Sequence, residues 1–508
     1  MSATPLLVGV DCGTTTIKAI AFTPNGRVVA AAGVPTPTQY PRPGWAYYAP
    51  DELWSCTVDA LRQLTAALDD PARIAGIAVA SIGETGVPLD RGGRPLAEAI
   101  AWFDNRTEAQ ARRLNATIGG ARFFAATGLP VIPIFSLCKM LWLQEERPDA
   151  WQQAATWLNA ADYLAYRLSG EMATDYSMAS RTLALNLARL EWDRDLVREA
   201  GISPDVLAPL AQSGTRLGPI LPEVAAATGL PAHTVVGVGG HDHVCGAFAL
   251  GITESGHVLD SMGTAEGIFL PLEQPITDAE ALARGYSQGA HVAGGYYGLA
   301  GIYTSGICVD WFRETFADNA DYATLMAEAQ EVQPGSLGVY FLPHLRRTNP
   351  GYAMEHSRAV FIGLSSDVSR GVAYRALLEG LAYEARYTLS GLLAHTAHAA
   401  PTHISVTGGG TRNRLLLDIK ANVFGHELDV VSVDEATALG AALLGGVAAG
   451  LYADCRAAAA AVDYDVVRVT PEPAVAAWYD RAYTDVYQHL GVTLGPLHAA
   501  IHNLDSPP

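Results

Sequence analysis

The chain has 508 residues, a net charge of −19 and a pI near 5.1, with 49% hydrophobic and 17% charged residues. This composition excludes a disordered or fibrous chain, and the acidic balance argues against nucleic acid or an anionic membrane surface as the main partner, since both require a basic face. The six cysteines are far apart and form no CxxC pair, which favours a reducing compartment over a disulfide framework.

The first predicted element is a buried-type strand at residues 6–10. No basic segment precedes it, so we expect no signal peptide. A polar turn follows at 11–16, then a second strand at 17–22. The dipeptide Asn25-Gly26 predicts a hairpin into a third strand at 27–31. The first turn therefore joins two antiparallel strands, unlike a P-loop or a dinucleotide motif, which opens a helix.

This first turn is a candidate phosphate-binding element. Its glycine lets backbone amides approach an anion, its hydroxyls add donors and its lysine adds positive charge. The residues concerned are Gly13, Thr14, Thr15, Thr16 and Lys18. Asp11 comes at the strand end, where a carboxylate can hold a divalent ion through water. An ordinary hairpin rich in threonine is the alternative.

Two polar segments, at residues 81–90 and 99–107, each follow a β-like run and are candidates for a sugar or polyol pocket. An aromatic face beside carboxylates suits a sugar, whose C–H face stacks while its hydroxyls are bound. The side chains concerned are Glu84, Trp102, Asp104 and Arg106. The alternatives are core packing for Trp102 and a local ion pair between Asp104 and Arg106.

The segment at residues 239–247, GGHDHVCGA, follows a predicted strand at 235–238. Asp242 is expected at the end of this strand, where a carboxylate can accept the proton of a hydroxyl that attacks a γ-phosphoryl group. Two alternatives stay open here. One is a metal site formed by Asp242 with His241 and His243, and the other is a simple strand-end cap.

Residues 257–260 and 267–270 form a second predicted pair of strands around the turn SMGT at 261–264. This turn is similar to DCGT at 11–14, and such a weak duplication predicts two related lobes. We place the first lobe at residues 1–248 and the second at 249–480. Residues 481–508 are predicted as a C-terminal helix and tail.

Helices are predicted at residues 51–68, 135–146, 372–393, 413–424 and 436–450, and strands at 403–406 and 428–433, which implies an α/β protein. The loop TGGGTRN at 407–413 leaves bare backbone at Gly409 and Gly410, against which an adenine ring can lie, with Asn413 as a hydrogen-bonding partner. A flexible connection is the alternative. The uncharged run at 436–453 is mostly Ala and Gly and predicts a closely packed helix, not a membrane span. We therefore expect a cytoplasmic protein.

Together these segments resemble the FGGY family of carbohydrate kinases over nearly the whole chain. The resemblance is carried by DCGTTTIK, ETGVPLD, AWFDNRT, FSLCKMLWLQEE, GGHDH, DSMGTAEG, GLSSDVSRGVAYRALLEG and TGGGTRN. It implies a two-lobed actin-like ATPase fold of the α/β, ribonuclease H-like type, with a mixed sheet flanked by helices in each lobe. It also implies ATP and Mg²⁺ as cofactors, a sugar as the other partner and a homodimer as a common assembly.

The resemblance also assigns roles to residues. It implies that Asp242 is the catalytic base and that Asp11 lies near the metal ion. The residues implied at the phosphates and the nucleotide are Thr14, Thr15, Thr16, Lys18, Thr264, Gly306, Gly409 and Asn413, to which we add Gly13, Gly263 and Gly410 from the same glycine-containing segments. Those implied at the sugar are Glu84, Trp102 and His243, to which we add Asp104 from the same polar segment.

Departures from the family pattern concern the substrate. Glycerol kinases have an Arg-Glu pair where this chain has Gly83-Glu84 and a tyrosine where it has Ile134, so glycerol is not expected. Typical xylulose kinases have a Met-His pair near Gly83-Glu84 and an asparagine in place of His243. We expect a ketopentose kinase with D-xylulose as the leading substrate.

Several other readings stay open. The first is a kinase of another sugar, a polyol or an aldonate, although the charge of Glu84 disfavours an anionic aldonate. The second is a non-catalytic sugar sensor on the same fold. The third is a chaperone-like ATPase, for which the chain leaves no peptide-binding domain.

Overall fold

The structure, a computed structural model, describes residues 4–345, 356–433 and 435–504. Residues 1–3 of the predicted first lobe and residues 505–508 of the predicted tail lie outside the described residues. The strands are β1 Leu6–Cys12, β2 Thr16–Phe22, β3 Val28–Pro35, β4 Thr38–Arg42, β5 Trp45–Tyr48, β6 Ile74–Ser81, β7 Gly86–Leu89, β8 Ala99–Ile100, β9 Thr156–Asn159, β10 Thr174–Asp175, β11 Leu185–Asn186, β12 Glu191–Trp192, β13 Leu210–Ala211, β14 Arg216–Pro219, β15 Val235–Gly237, β16 Gly240–His241, β17 His257–Met262, β18 Glu266–Leu272, β19 Ser287–Ala290, β20 Tyr296–Ile302, β21 Tyr340–Leu342, β22 Val360–Ile362, β23 His403–Thr407, β24 Leu428–Ser432 and β25 Asp465–Val469.

The α-helices are α1 Pro50–Ala66, α2 Glu108–Thr117, α3 Gly120–Thr127, α4 Ser136–Glu146, α5 Pro148–Trp151, α6 Ala160–Ser169, α7 Tyr176–Ser180, α8 Arg194–Glu199, α9 Pro222–Thr228, α10 Asp242–Ala249, α11 Ala279–Arg284, α12 Gly306–Phe316, α13 Tyr322–Gln330, α14 Arg370–Leu393, α15 Arg414–Phe424, α16 Ala436–Ala448, α17 Cys455–Ala460, α18 Pro473–Ala482 and α19 Gln488–Leu504. The predicted helices and strands are all present, with ends that differ by a few residues at most.

The first large sheet has the strand order β14-β15-β6-β1-β2-β3, and β16 also pairs with β6. The strands β1, β2 and β3 are antiparallel neighbours, as predicted, and Gly26 supplies the left-handed conformation of the hairpin with φ of 88°. Beside them, β6 runs parallel to β1 and to β16, so all three end at the same edge of the sheet. This common edge positions the polar residues that follow these strands.

The second large sheet has the order β19-β20-β18-β17-β23-β24-β25. Its hairpin β17–β18 repeats the arrangement of β1 and β2, and the parallel strand β23 repeats that of β6. Strand β23 ends at the glycine loop, and Asn413 caps α15 by accepting a hydrogen bond from the Leu416 N–H at 3.0 Å. The division of the chain at residue 248 stays a prediction.

Helix α16 packs tightly against β1, β6 and α10, with almost no space between backbones. A Cβ on Gly9 would lie 1.7 Å from the carbonyl oxygen of Ala438, and one on Gly440 would lie 2.0 Å from that of Cys245. Small residues thus let backbone approach backbone, which confirms the prediction of a packed helix. Within the described part of the chain, no helix is long and apolar enough to cross a membrane.

Candidate active site

Two carboxylates meet at the common edge of the first sheet. Asp11 is in register with Ala80 of β6, and Gly240 of β16 is in register with the same residue, so Asp242 follows directly at this edge. Burial, together with the negative charge of Asp242, raises the pKa of Asp11 to about 7. The structure therefore brings Asp11, the predicted metal-binding residue, to the same edge as Asp242, the predicted catalytic base, although the two are far apart in sequence.

Asp242 is the first residue of α10, and one of its carboxylate oxygens is free. Its Oδ1 accepts the N–H of His243 at 2.6 Å, whereas Oδ2 has no hydrogen-bond partner among the described residues. Burial raises the pKa of Asp242 above its ordinary value, while the neighbouring His243 lowers it. The free Oδ2 is the atom that can accept a proton from a bound hydroxyl.

The alternative of a histidine metal site finds no support in this arrangement. His241 is buried with its Nε2 3.4 Å from Asp242 Oδ1, and burial lowers its pKa well below the ordinary value. His243 is exposed, and the two rings are 5.6 Å apart. Over residues 4–345, 356–433 and 435–504, no group of three His, Cys, Asp or Glu side chains is arranged to hold a metal ion.

The first turn is held by a hydrogen bond within the turn and by a second one from Trp102. Gly13 donates its N–H to the carbonyl of Thr16 at 3.2 Å, so this amide is used within the turn and is not a free donor for an anion. Trp102 donates its indole N–H to Thr14 Oγ1 at 3.1 Å, and this contact links the predicted sugar pocket to the turn. Thr15 is exposed and Thr16 half-buried, so hydroxyls are the side-chain donors on offer here.

Lys18 forms an ion pair that the sequence did not indicate. Its Nζ lies 2.7 Å from both carboxylate oxygens of Glu435, which precedes α16 and has a left-handed φ of 64°. Both side chains are about one-third exposed, at 37% and 32%. The charge that Lys18 can offer to a phosphate is therefore shared with a carboxylate from the other end of the chain.

Glu84 has an unusual backbone conformation and a buried side chain. Its φ is 61°, and the N–H of Thr85 donates to the carbonyl of Gly83 at 2.7 Å, which closes a tight turn around it. Such a conformation in a non-glycine residue persists only where neighbours hold it. Lys139 helps to hold this conformation, because its buried Nζ donates a hydrogen bond to the Glu84 carbonyl at 2.9 Å.

The carboxylate of Glu84 is paired with Arg181, a residue that the sequence analysis missed. Oε1 of Glu84 lies 2.6 Å from Nε and 2.5 Å from Nη2 of this buried guanidinium. The negative charge that disfavoured an aldonate is thus neutralised, so the charge of Glu84 does not decide between a neutral sugar and an aldonate. The available signal was a single arginine in a run of small and hydroxyl residues, YSMASRT.

Gly83 is explained by the same packing. A Cβ at this position would lie 2.7 Å from Cδ2 of the His241 ring and 3.2 Å from Cγ of Arg181. The arginine that glycerol kinases carry here would therefore collide with the His241 ring. The departure from the glycerol kinase pattern thus has a steric cause in this chain.

Trp102 and Asp104, two of the three other predicted sugar residues, differ in their accessibility. Trp102 is 40% exposed and not a core residue, so its face is open to a ligand. The Asp104 carboxylate is instead buried against Arg106, with Oδ2 2.7 Å from Nη2, and it also accepts the N–H of Ala46 at 2.5 Å. Asp104 therefore forms the local ion pair with Arg106 that was the alternative to sugar binding, and its carboxylate lies beneath the pocket without facing it.

A cavity of about 730 Å³ lies at the carboxyl ends of strands in the second sheet. It is lined by all six residues predicted there, Gly263, Thr264, Gly306, Gly409, Gly410 and Asn413. Gly306 allows a close approach of two backbones, since a Cβ would lie 2.6 Å from the carbonyl oxygen of Gly263. The volume and the bare glycine wall suit a flat ring with a polar tail.

Several further residues line this cavity and were not identified from sequence. Asp310 accepts a hydrogen bond from the hydroxyl of Tyr322, and Tyr374 and Met326 complete the apolar wall. They come from α12, α13 and α14, which are separated by loops in the chain. Tyr374 lies in the segment GLSSDVSRGVAYRALLEG, but nothing in the local sequence marks these residues as cavity-lining, because only the packing of the helices brings them together.

The chemistry of the first-sheet edge fits a magnesium ion. Its donors are carboxylate and hydroxyl oxygens, which Mg²⁺ prefers, and there are too few for a cage made of protein alone. The pKa of Asp11 is raised first by burial and then by the nearby carboxylate of Asp242, and a bound cation would relieve the repulsion between the two carboxylates. Asp11 is the residue that would hold the ion.

Comparisons with known proteins agree with this geometry. Residues 6–249 match the N-terminal domain, and residues 259–449 the C-terminal domain, of the FGGY family of carbohydrate kinases. A xylulose kinase from Bacillus subtilis is 30% identical over 88% of this chain and 89% of its own length, and a glycerol kinase from Gloeobacter violaceus is 31% identical over 88% and 89%.

The fold comparison leads to the same group of enzymes. A gluconate kinase structure from Lactobacillus acidophilus, 25% identical, superposes with a TM-score of 0.88 over 98% of this chain and 100% of that one. The two-lobed α/β fold that the resemblance implied is confirmed. The sugars named in these relatives differ, although the overall architecture is shared.

Proposed function

We propose that this chain, which belongs to the FGGY family of carbohydrate kinases, transfers the γ-phosphoryl group of ATP to a hydroxyl of a ketopentose. D-xylulose is the leading substrate. The observation that carries the proposal is the free Oδ2 of Asp242 beside Asp11 and the Thr14 turn. A carboxylate with a raised pKa at this edge is suited to accept a proton from a sugar hydroxyl.

In the proposed mechanism, the sugar lies against the exposed face of Trp102 and within reach of Glu84. Asp242 Oδ2 takes the proton of the attacking hydroxyl as the oxygen approaches the γ-phosphorus. The hydroxyls of the first turn, together with Lys18, stabilise negative charge on the phosphoryl oxygens. Mg²⁺, when bound near Asp11, supplies neutralisation of phosphate charge.

The nucleotide is proposed to occupy the 730 Å³ cavity. The adenine ring would lie against the backbone of Gly409 and Gly410, and Asn413 would bond the ring or the sugar. Thr264, in the turn between β17 and β18, would contact the phosphates. This assignment follows from the shape of the cavity and from the resemblance of the two turns.

The choice of D-xylulose rests on the names of relatives, several of which are xylulose kinases. An aldonate is the second candidate, because Arg181 neutralises the charge of Glu84 and a gluconate kinase shares this fold. A homodimer and a cytoplasmic location stay predictions.

The test is ADP release from the purified protein with Mg-ATP over a panel of pentuloses, polyols and aldonates. We expect one compound to raise the rate strongly, and Asp242→Asn to lower that rate by about 10²- to 10⁴-fold. Asp278→Asn is the matched control, because Asp278 caps α11 away from the site. Unchanged turnover of Asp242→Asn would contradict the mechanism, and ATP hydrolysis that no sugar stimulates would contradict the function.

A further inference from the structure

We propose that Arg181 is a positioning and specificity-determining residue of the sugar pocket, which holds Glu84 in place and neutralises its charge, so that the pocket does not repel a carboxylate of the same length as the neutral sugar. The inference rests on the proposed function and deepens it. It concerns which substrates this pocket accepts, and it assigns a role to a residue outside every motif described above.

The geometry of the pair supports this role. Arg181 has 10% and Glu84 7% of its side-chain surface exposed, so little water screens their interaction. Both contacts of the guanidinium go to Oε1 of Glu84, at 2.6 and 2.5 Å. Oε2 accepts no hydrogen bond from the described residues, and it is therefore left for a hydroxyl of the sugar.

Arg181 is itself held from the second sheet. Its Nη1 donates to Ser287 Oγ of β19 at 2.7 Å, and its guanidinium lies 5.1 Å from the ring centre of Phe135. Beside it, the N–H of Ala290 donates to Ser180 Oγ at 2.9 Å, so α7 and β19 are joined at this point. The position of Glu84 is thereby determined by a junction between the two sheets.

The pair acts close to the reacting group. Glu84 raises the pKa of Asp242, and Arg181 lowers it, so both charges are felt at the proposed base. His241 and Tyr297 are the other titratable groups that face Arg181; burial lowers the pKa of His241 and raises that of Tyr297, so both are neutral. The pair as a whole carries no net charge. Removing either partner leaves one unit charge in a partly desolvated pocket.

Two opposite substitutions test the inference. We would measure kcat/KM for D-xylulose and D-xylonate, and for D-glucitol and D-gluconate, which are neutral and anionic compounds of equal chain length. Arg181→Gln should lower the ratio of anionic to neutral substrate use, and Glu84→Gln should raise it. Each shift should be on the order of tenfold to a hundredfold, as for one unit charge at contact distance in a protein pocket.

Three further variants separate charge from packing. Arg181→Lys keeps the charge but loses the paired contacts, so it should keep the ratio while kcat/KM falls for all substrates. Ser287→Ala should behave in the same way, with a smaller loss. Arg94→Gln is the matched control, because Arg94 pairs with Asp90 at the surface with 83% of its side chain exposed.

Failure of this inference can be told apart from failure of the proposed kinase function. If the wild-type protein uses no sugar at all, the kinase assignment fails. If the wild type is active but Arg181→Gln and Glu84→Gln leave the ratio unchanged, or shift it in the same direction, the inference is wrong. Glu84→Gln keeps the test open even if Arg181→Gln does not fold.

Discussion

The buried ion pair of Asp104 and Arg106 allows a test of whether the Asp104 carboxylate stabilises the fold or binds the sugar. Arg106 lies between the rings of Trp45 and Trp142, at 4.0 and 5.0 Å from their centres, and its side chain is 1% exposed. Asp104→Asn would leave this guanidinium without its main counterion. We expect a loss of stability and little change in sugar binding.

The magnitude follows from the contacts. Breaking a buried ion pair by removing one partner costs about 3–5 kcal/mol. Glu98 Oε1 lies 3.5 Å from Arg106 Nη1 and keeps part of the compensation, so we expect the lower end, about 3 kcal/mol. The asparagine must also accept the N–H of Ala46 in place of a carboxylate oxygen, which adds to the loss.

The assay is urea unfolding followed by the fluorescence of the tryptophans around Arg106, together with KM for the best sugar. We expect the double variant Asp104→Ala/Arg106→Met to recover part of the lost stability, since it leaves no unpaired charge. Asp195→Asn is the control, because Asp195 pairs with Arg198 at the surface and 91% of its side chain is exposed. If Asp104→Asn unfolded at the wild-type urea concentration and raised KM tenfold or more, Asp104 would face the sugar and our reasoning would be refuted.

Two further predictions concern the nucleotide cavity and the first-sheet edge. Gly409→Val should raise KM for ATP about tenfold or more while the fold persists, because the atom nearest to a Cβ there is the flexible end of Arg412 at 3.4 Å. Gly306→Ala should instead destabilise the protein, because its Cβ would lie 2.6 Å from the Gly263 carbonyl oxygen. Nucleotide titrations and thermal unfolding of both variants separate these effects. For Asp11, whose pKa is raised from 3.8 to about 7, the folded state binds its proton more tightly than the unfolded state. The free energy of unfolding of EDTA-treated protein should therefore fall as pH rises from about 4 to 7, and Asp11→Asn should flatten this slope. A slope unchanged in Asp11→Asn would show that other groups cause it.

Much of the fold could be predicted from local pattern. The apolar run at residues 6–10 and the Asn25-Gly26 turn led to β1, β2 and β3, because side-chain periodicity and the left-handed preference of Asn-Gly act over a few residues. The Ala- and Gly-rich composition of α16 likewise indicated close packing. Glycine-containing turns in the sequence also located five residues that line the proposed nucleotide cavity, and the family resemblance added Gly306 at the start of α12.

The charged partners that are distant in sequence could not be predicted, and these decide the electrostatics of the proposed sugar pocket. Lys18 pairs with Glu435, 417 residues away, and Glu84 pairs with Arg181, 97 residues away. Asp104 pairs with Arg106 as the sequence allowed, but only burial excludes it from the pocket. The sequence by itself determined the elements and the kinase-like turns, because those depend on neighbouring residues. The tertiary structure alone decided which charges meet, because electrostatic pairing depends on distance and burial in space and not on separation along the chain.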